Sequence, residues 1–156
     1  MPADLTQDIL NSDVITLLTR AIPNPELKID TASNDSDKKF TVDANQMWQI
    51  SWIFASLGTS GTGGNRIMQL DIDDDAGNTI WVVSALNVHT AGTTEYYIFQ
   101  PLGQEPVETV ATRHWLPIPP ELCLPAGYGL RIYDVATIDP SADELIIKMM
   151  INRYDV

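Results

Sequence analysis

A chain of 156 residues with 44% apolar content has the material for one domain around a single hydrophobic core. Its formal charge of −12, from 21 acidic and nine basic residues, leaves no basic stripe to neutralise a phosphate backbone, so nucleic acid is not expected as a partner. The single cysteine, Cys123, excludes an intrachain disulfide, and no run nears the roughly 18 apolar residues of a membrane span. The sequence also opens without the basic-then-apolar pattern of a secretory leader, which fits synthesis in a reducing cytoplasm.

Leu10, Val14, Leu17, Leu18 and Ala21 fall at i, i+4, i+7, i+8 and i+11 and line one face of a helix. Asn11, Ser12 or Asp13 can cap it, and Pro23 and Pro25 stop it. So short a helix is marginal without packing, so it either covers an open end of the sandwich or is an arm that packs on another subunit. Lys28 to Lys39 is polar and turn-rich and reads as a linker or exposed loop. The chain therefore divides into an N-terminal arm, residues 1–39, and a β-sandwich domain, residues 40–156.

Phe40 to Val42 opens the first expected strand, and Met47 to Leu57 follows. Here Trp48, Ile50, Trp52 and Phe54 recur every second residue, which places them on one face, by default the core. Gly58 to Asn65 is glycine-rich but lacks the Gly-Lys-Ser or Gly-Lys-Thr ending of a phosphate-cradling loop, and Arg66 to Ile72 after it alternates like a strand. Arg66 is expected as an ordinary surface arginine, with pairing to an acidic neighbour across an interface as the alternative; it joins Leu10, Val14, Leu17 and Leu18 as a candidate interface residue. Asp71, Asp73, Asp74 and Asp75 invite a cation. However, glycine is one place late for the calcium-loop pattern, and Val82 stands where the closing glutamate is needed. Asp75-Ala76-Gly77-Asn78 reads better as a hairpin turn into Thr79 to Val83.

Further strands are expected at Trp81 to Leu86, Thr94 to Gln100, Arg113 to Ile118, Leu130 to Val135 and Leu145 to Ile151. Tyr96-Tyr97-Ile98-Phe99 is apolar on both faces, which implies burial on both sides or an interface. Prolines and glycine from Leu116 to Gly127 break any helix and turn the chain into Tyr128. Seven or eight strands with no helix among them describe an all-β, predominantly antiparallel two-sheet sandwich. Inward positions should include Trp48, Ile50, Trp52, Leu70, Ile72, Ile132, Leu145 and Ile147.

Catalysis has little to work with. His89 and His114 stand 25 residues apart outside any His-x-His or His-Glu-x-x-His pattern, and Cys123 lies in a proline-rich turn. No catalytic residue, metal ligand or cofactor site is expected.

The order Trp48-Gln49-Ile50, Gly64-Asn65-Arg66, Asp73-Asp74-Asp75-Ala76-Gly77-Asn78, Leu116-Pro117, Leu124-Pro125-Ala126-Gly127-Tyr128, Leu130-Arg131-Ile132-Tyr133-Asp134, Ile138-Asp139 and Asp143 resembles jelly-roll decoration, or cement, proteins of tailed-bacteriophage capsids. The resemblance runs from about Phe40 to Tyr154 and rests on turns and strand starts. It implies an antiparallel jelly-roll β-sandwich, to which the periodicity of Leu10 to Ala21 adds an N-terminal helical arm that the resemblance does not cover. It also implies a structural virion protein, made in the host bacterial cytoplasm and placed on the outer capsid surface, that bridges neighbouring major capsid subunits. A homo-oligomer is expected, a trimer ahead of a dimer. The alternative on the same architecture is a receptor- or glycan-binding module of a head or tail fibre, which an exposed aromatic groove would favour.

Overall fold

Side chains that alternate between apolar and polar need two sheets to close over their apolar faces, and this chain supplies both. The computed structural model describes residues 22–32, 37–62, 64–101, 112–136, 139 and 142–156. The helix expected over Leu10 to Ala21 lies outside these residues. Among them are ten strands and no helix: β1 (Asn24–Asp30), β2 (Asp37–Thr41), β3 (Gln46–Gly58), β4 (Arg66–Asp73), β5 (Thr79–Ser84), β6 (Thr94–Pro101), β7 (Arg113–Ile118), β8 (Cys123–Pro125), β9 (Gly129–Ala136) and β10 (Glu144–Asp155).

Sheet A has the order β1-β10-β3-β6-β7, with β8 beside the first half of β3; sheet B has the order β2-β9-β4-β5. Every pairing is antiparallel except β6 with β7, which run parallel across Tyr96↔Arg113 to Pro101↔Ile118. A parallel pair needs a crossover, for which the long connection between Pro101 and Arg113 has the length.

The segment read as a linker, Lys28 to Lys39, is instead strand at both ends. β1 pairs with β10 from Asn24↔Arg153 to Asp30↔Ile147, and β2 pairs with β9 from Asp37↔Tyr133 to Thr41↔Gly129. Leu27 and Ile29 alternate with Glu26, Lys28 and Asp30, the polar-rich grammar of an edge strand, and Pro25 is tolerated there because an edge amide has no ladder partner to lose. Lys38 is buried; its Nζ donates to the Ala32 carbonyl at 2.9 Å and pairs with Asp30 at 3.2 Å, fastening the start of β2 in sheet B to the end of β1 in sheet A.

The core lies between the sheets. Trp48, Ile50, Ile53, Ala55 and Leu57 of β3 and Leu145, Ile147, Met149 and Ile151 of β10 face Met68, Leu70 and Ile72 of β4 and Leu130 and Ile132 of β9, all buried. Seven of the eight positions expected inward are there, and Trp52 is the exception. Between Met150↔Trp52 and Ile151↔Ile50 the register slips by one residue, so Ser51 is extra on β3. Because side chains alternate with a period of two, one inserted residue exchanges the faces: Trp48 and Ile50 point inward before the bulge, Ile53, Ala55 and Leu57 after it, and Trp52 and Phe54 turn outward. The bulge falls where the neighbour of β3 changes from β8 (Met47↔Pro125 to Gln49↔Cys123) to β6 (Ile53↔Phe99 onward).

Candidate docking face

The outer faces of the two sheets differ in chemistry. On sheet B, the Tyr133 hydroxyl donates to Asp71 at 2.8 Å, Gln69 donates to Asp71 at 2.8 Å, and Arg131 holds Asp37 through two nitrogens at 2.9 and 2.6 Å while lying 4.2 Å over the Tyr133 ring. Burial and the bond to Asp71 push the Tyr133 hydroxyl up to about 12. These bonds satisfy the polar groups of β2, β4 and β9, while the edge strand β5 leaves Ile80 and Val82 57% and 48% exposed on the same face.

On sheet A the apolar side chains cross all five strands from β1 to β7. Its register aligns Leu27, Met150 and Trp52 in one outward row and Ile29, Lys148, Phe54, Ile98 and Trp115 in the next. Leu27 and Ile29 are 44% and 53% exposed, and the rings of Phe54 and Tyr96 stack at 6.0 Å. Two shallow grooves share Phe54 and Ile98. One, of about 480 Å³, is completed by Trp52, Gln100 and Lys148; the other, of about 310 Å³, by Tyr96, Arg113 and Trp115. The face exists because of the bulge at Ser51, without which Trp52 and Phe54 would join the core.

The distribution of cations singles out the same face. Among the described residues eight Lys and Arg side chains occur. Lys28, Lys38, Lys39, Arg66, Arg131 and Arg153 each pair with a carboxylate of this chain. Arg113 and Lys148 pair with none among the described residues, and each borders one of the two grooves. Two cations without a carboxylate partner among the described residues thus border the aromatic strip.

The structure places the other sequence candidates elsewhere. Leu10, Val14, Leu17 and Leu18 lie outside the described residues. Arg66, expected at the surface or an interface, is 0% exposed. Its Nε and Nη2 each reach Asp143 at 2.9 Å, Nη1 bonds the Gly64 carbonyl, and Asp134 lies 3.9 Å away. Asp143 also accepts the backbone amides of Ser60 and Asp139, both at 2.8 Å. Burial raises its pKa, but these amides and the guanidinium outweigh burial and hold the carboxyl below the usual range. Arg66 is thus a structural clamp joining the glycine-rich loop, β4 and the approach to β10.

Both histidines belong to a second buried cluster. His114 Nε2 lies 2.6 Å from Glu95, His89 Nδ1 lies 3.0 Å from the Tyr97 hydroxyl, and the rings of Tyr97 and His114 stack at 4.8 Å. Burial and the Glu95 charge push the Tyr97 hydroxyl far above its usual range. Three aspartates of the acidic run are engaged by the fold, and Asp75 is exposed. Asp71 serves Tyr133, Asp73 pairs with Lys39 at 3.2 Å, and Asp74 accepts the amides of Ala76 and Asn78 at 3.0 and 2.7 Å in the expected turn, where Gly77 adopts φ +83°. Among the described residues no three His, Cys, Asp or Glu side chains group to hold a metal ion, and no helix is long and apolar enough to cross a membrane.

A signal for the docking face was present in the sequence. Trp52-Ile53-Phe54-Ala55 and Tyr96-Tyr97-Ile98-Phe99 are apolar in both phases, and a strand apolar on both sides needs a cover on both sides. Adjacent strands with this property mark one apolar outer surface, but their adjacency comes from the topology alone.

No protein-family model matches the sequence, and no curated protein matches it. A chain in the structure of infectious bursal disease virus, Gx strain, is similar over 85% of this chain and 37% of its own length, at 12% identity and a TM-score of 0.34. A chain in the structure of the Gt strain is similar over 83% of this chain and 31% of its own, at 12% identity and a TM-score of 0.30. This chain spans about a third of the length of those it matches, and likeness at this level fixes neither fold nor role.

Proposed function

We propose that this chain is a structural virion protein that decorates a bacteriophage capsid and stabilises it by bridging neighbouring major capsid subunits, with the outer face of sheet A turned to the shell. The observation that carries the reading is the apolar surface that crosses all five strands of sheet A beside Arg113 and Lys148, where the large exposed apolar side chains of sheet B are confined to its edge strand β5. Contiguous apolar surface of this kind marks an interaction site. The sandwich is read as a jelly roll, supported by the way strands from distant parts of the chain meet centrally in each sheet: β3 with β10, and β4 with β9. The role is assembly rather than catalysis, without cofactor or nucleic acid, on the outer capsid surface, and the bound form is a homo-oligomer with a trimer favoured over a dimer.

The test is binding to particles that lack the protein. Truncating a central aromatic anchor at an interface costs at least about 2 kcal/mol, which is about 30-fold in affinity. Phe54→Ala should therefore raise the Kd for particles about 30-fold with the circular dichroism spectrum unchanged, and particles without the protein should disrupt at lower temperature. An unchanged Kd for the variant removes the docking face, and equal heat resistance with and without the protein removes the stabilising role. A second reading, glycan or receptor binding, is favoured by the grooves, where Trp52 and Trp115 offer ring surface beside Gln100 and Arg113. Saturable binding to an oligosaccharide array without affinity for particles would select it.

A further inference from the structure

We propose that the slot between the edge strands of the two sheets, β5 and β7, is a binding site for a compact apolar ligand carrying one hydroxyl, of the size of a small phenol. Its walls come from both sheets, unlike the grooves on the outer face of sheet A, so it stands or falls independently of the docking reading.

Sheet B ends at β5 and sheet A at β7, and the two edge strands approach each other without a ladder between them among the described residues. They leave a cavity of about 240 Å³, walled by Val83, Ala85 and Leu86 on one side and by Leu116 and Pro117 on the other. Leu86 is almost fully exposed, which places it at the mouth, whereas Ala85 and Leu116 belong to the core. An apolar cavity of about 150 Å³ is enough to take up benzene, and sites for drug-sized ligands begin near 300 Å³. The slot therefore suits a single ring with a small substituent.

One polar group gives the slot its chemistry. Of the polar side chains in the wall, the Ser84 hydroxyl is spent on Gln69 at 3.1 Å and Trp115 belongs to the outward row of sheet A, which leaves His114. His114 is 7% exposed, and its Nε2 lies 2.6 Å from Glu95. That carboxylate also accepts the Thr90 amide at 3.2 Å and the Tyr97 hydroxyl at 3.4 Å, so it is an acceptor throughout and fixes a proton on Nε2. The Tyr97 ring, stacked on His114 at 4.8 Å, holds the plane of the imidazole. The second nitrogen, Nδ1, has no partner among the described residues. It accepts a hydrogen bond in the neutral ring and donates one in the charged ring, and a hydroxyl can answer either. An apolar molecule with one hydroxyl thus covers the walls and satisfies the nitrogen together.

The experiment titrates the full-length, nitrogen-15-labelled protein with p-cresol and with p-xylene, which share a shape and differ in the hydroxyl. Imidazole nitrogens and backbone amides are followed by nuclear magnetic resonance. p-Cresol should bind saturably at one per chain with a Kd of about 1 mM or tighter, within what so small a ligand can gain. It should move Nδ1 of His114 and the amides of Ala85 and Leu116, while those of Phe54 and Ile98 stay in place. p-Xylene should bind about fivefold more weakly, because it leaves Nδ1 unpaired. Ala85→Leu fills the slot and should abolish binding with the circular dichroism spectrum unchanged; if that variant does not fold, the two probes on the wild-type chain decide alone. Absence of saturable p-cresol binding, equal affinity for both probes, shifts centred on Phe54 and Ile98, or undiminished binding to folded Ala85→Leu would each overturn the proposal.

Discussion

Replacing Asp143 by alanine should destabilise the protein severely without touching its docking face. The side chain is 0% exposed and accepts four bonds, two from Arg66 and one each from the amides of Ser60 and Asp139. Its removal leaves a buried guanidinium without its principal counter-charge and two amides without acceptors. Breaking a buried pair by deleting one partner costs about 3–5 kcal/mol, a large share of the roughly 5–15 kcal/mol that holds a domain together. In urea, with a slope near 2 kcal/mol per molar, the midpoint should fall by roughly 2 M when unfolding is followed by tryptophan fluorescence. The double variant Arg66→Met with Asp143→Leu should recover part of the loss, because the guanidinium goes with its principal counter-charge, while the amides of Ser60 and Asp139 still lack that acceptor and Asp134 loses its nearby cation. The carboxyl pKa is depressed in the folded state, so this contribution is present above the unfolded value near 3.9 and disappears as pH falls through the folded value. The advantage of wild type over the double variant should accordingly shrink under acid. A midpoint shift below about 0.5 M for Asp143→Ala would refute the clamp and return Arg66 to the surface role read from sequence.

The bulge makes adjacent residues of β3 respond differently. Ile53→Ala opens a core cavity and should cost about 2–5 kcal/mol in urea unfolding, whereas Trp52→Ala on the outer face should cost clearly less. Deleting Ser51 removes the phase change, drives Trp52 and Phe54 toward the core, and should abolish cooperative unfolding. Tyr133→Phe removes the hydroxyl that serves Asp71 and Gln69 and should cost about 1 kcal/mol. Because the Tyr133 pKa is raised to about 12, its contribution is complete below the unfolded value near 10 and fades as pH rises toward 12, which alkaline unfolding curves of wild type and variant can measure.

Much of the architecture was legible because period-two alternation survives in the strands that build the core. β4, β6, β7, β9 and β10 lie close to where Leu70, Tyr97, Leu116, Ile132 and Ile147 suggested, and Gly77 marked its hairpin. Three features were hidden for physical reasons. β1 alternates, but with charged residues that suit an edge and look like a loop. β8 is three residues among prolines, held by pairing with β3 rather than by propensity. The bulge at Ser51 leaves no compositional trace, since Trp52 and Ile53 are both good strand residues and tertiary pairing alone decides which faces inward. The docking face was therefore split, half assigned to the core through Trp52 and Phe54 and half noticed at Tyr96 and Ile98. The Arg66 clamp was unreadable because Asp143 is 77 positions away. A lone arginine after a glycine-rich loop carries no sign of burial.

The most direct test of the central claim is a pair of electron-microscopy maps of the particle, with and without this protein, at a resolution that separates the two sheets. The account predicts extra density on the outer surface across boundaries between shell subunits, with Trp52, Phe54 and Ile98 of sheet A against the shell and Tyr133 and Arg131 of sheet B toward solvent. Density that meets the shell through sheet B, or maps that do not differ, would contradict it.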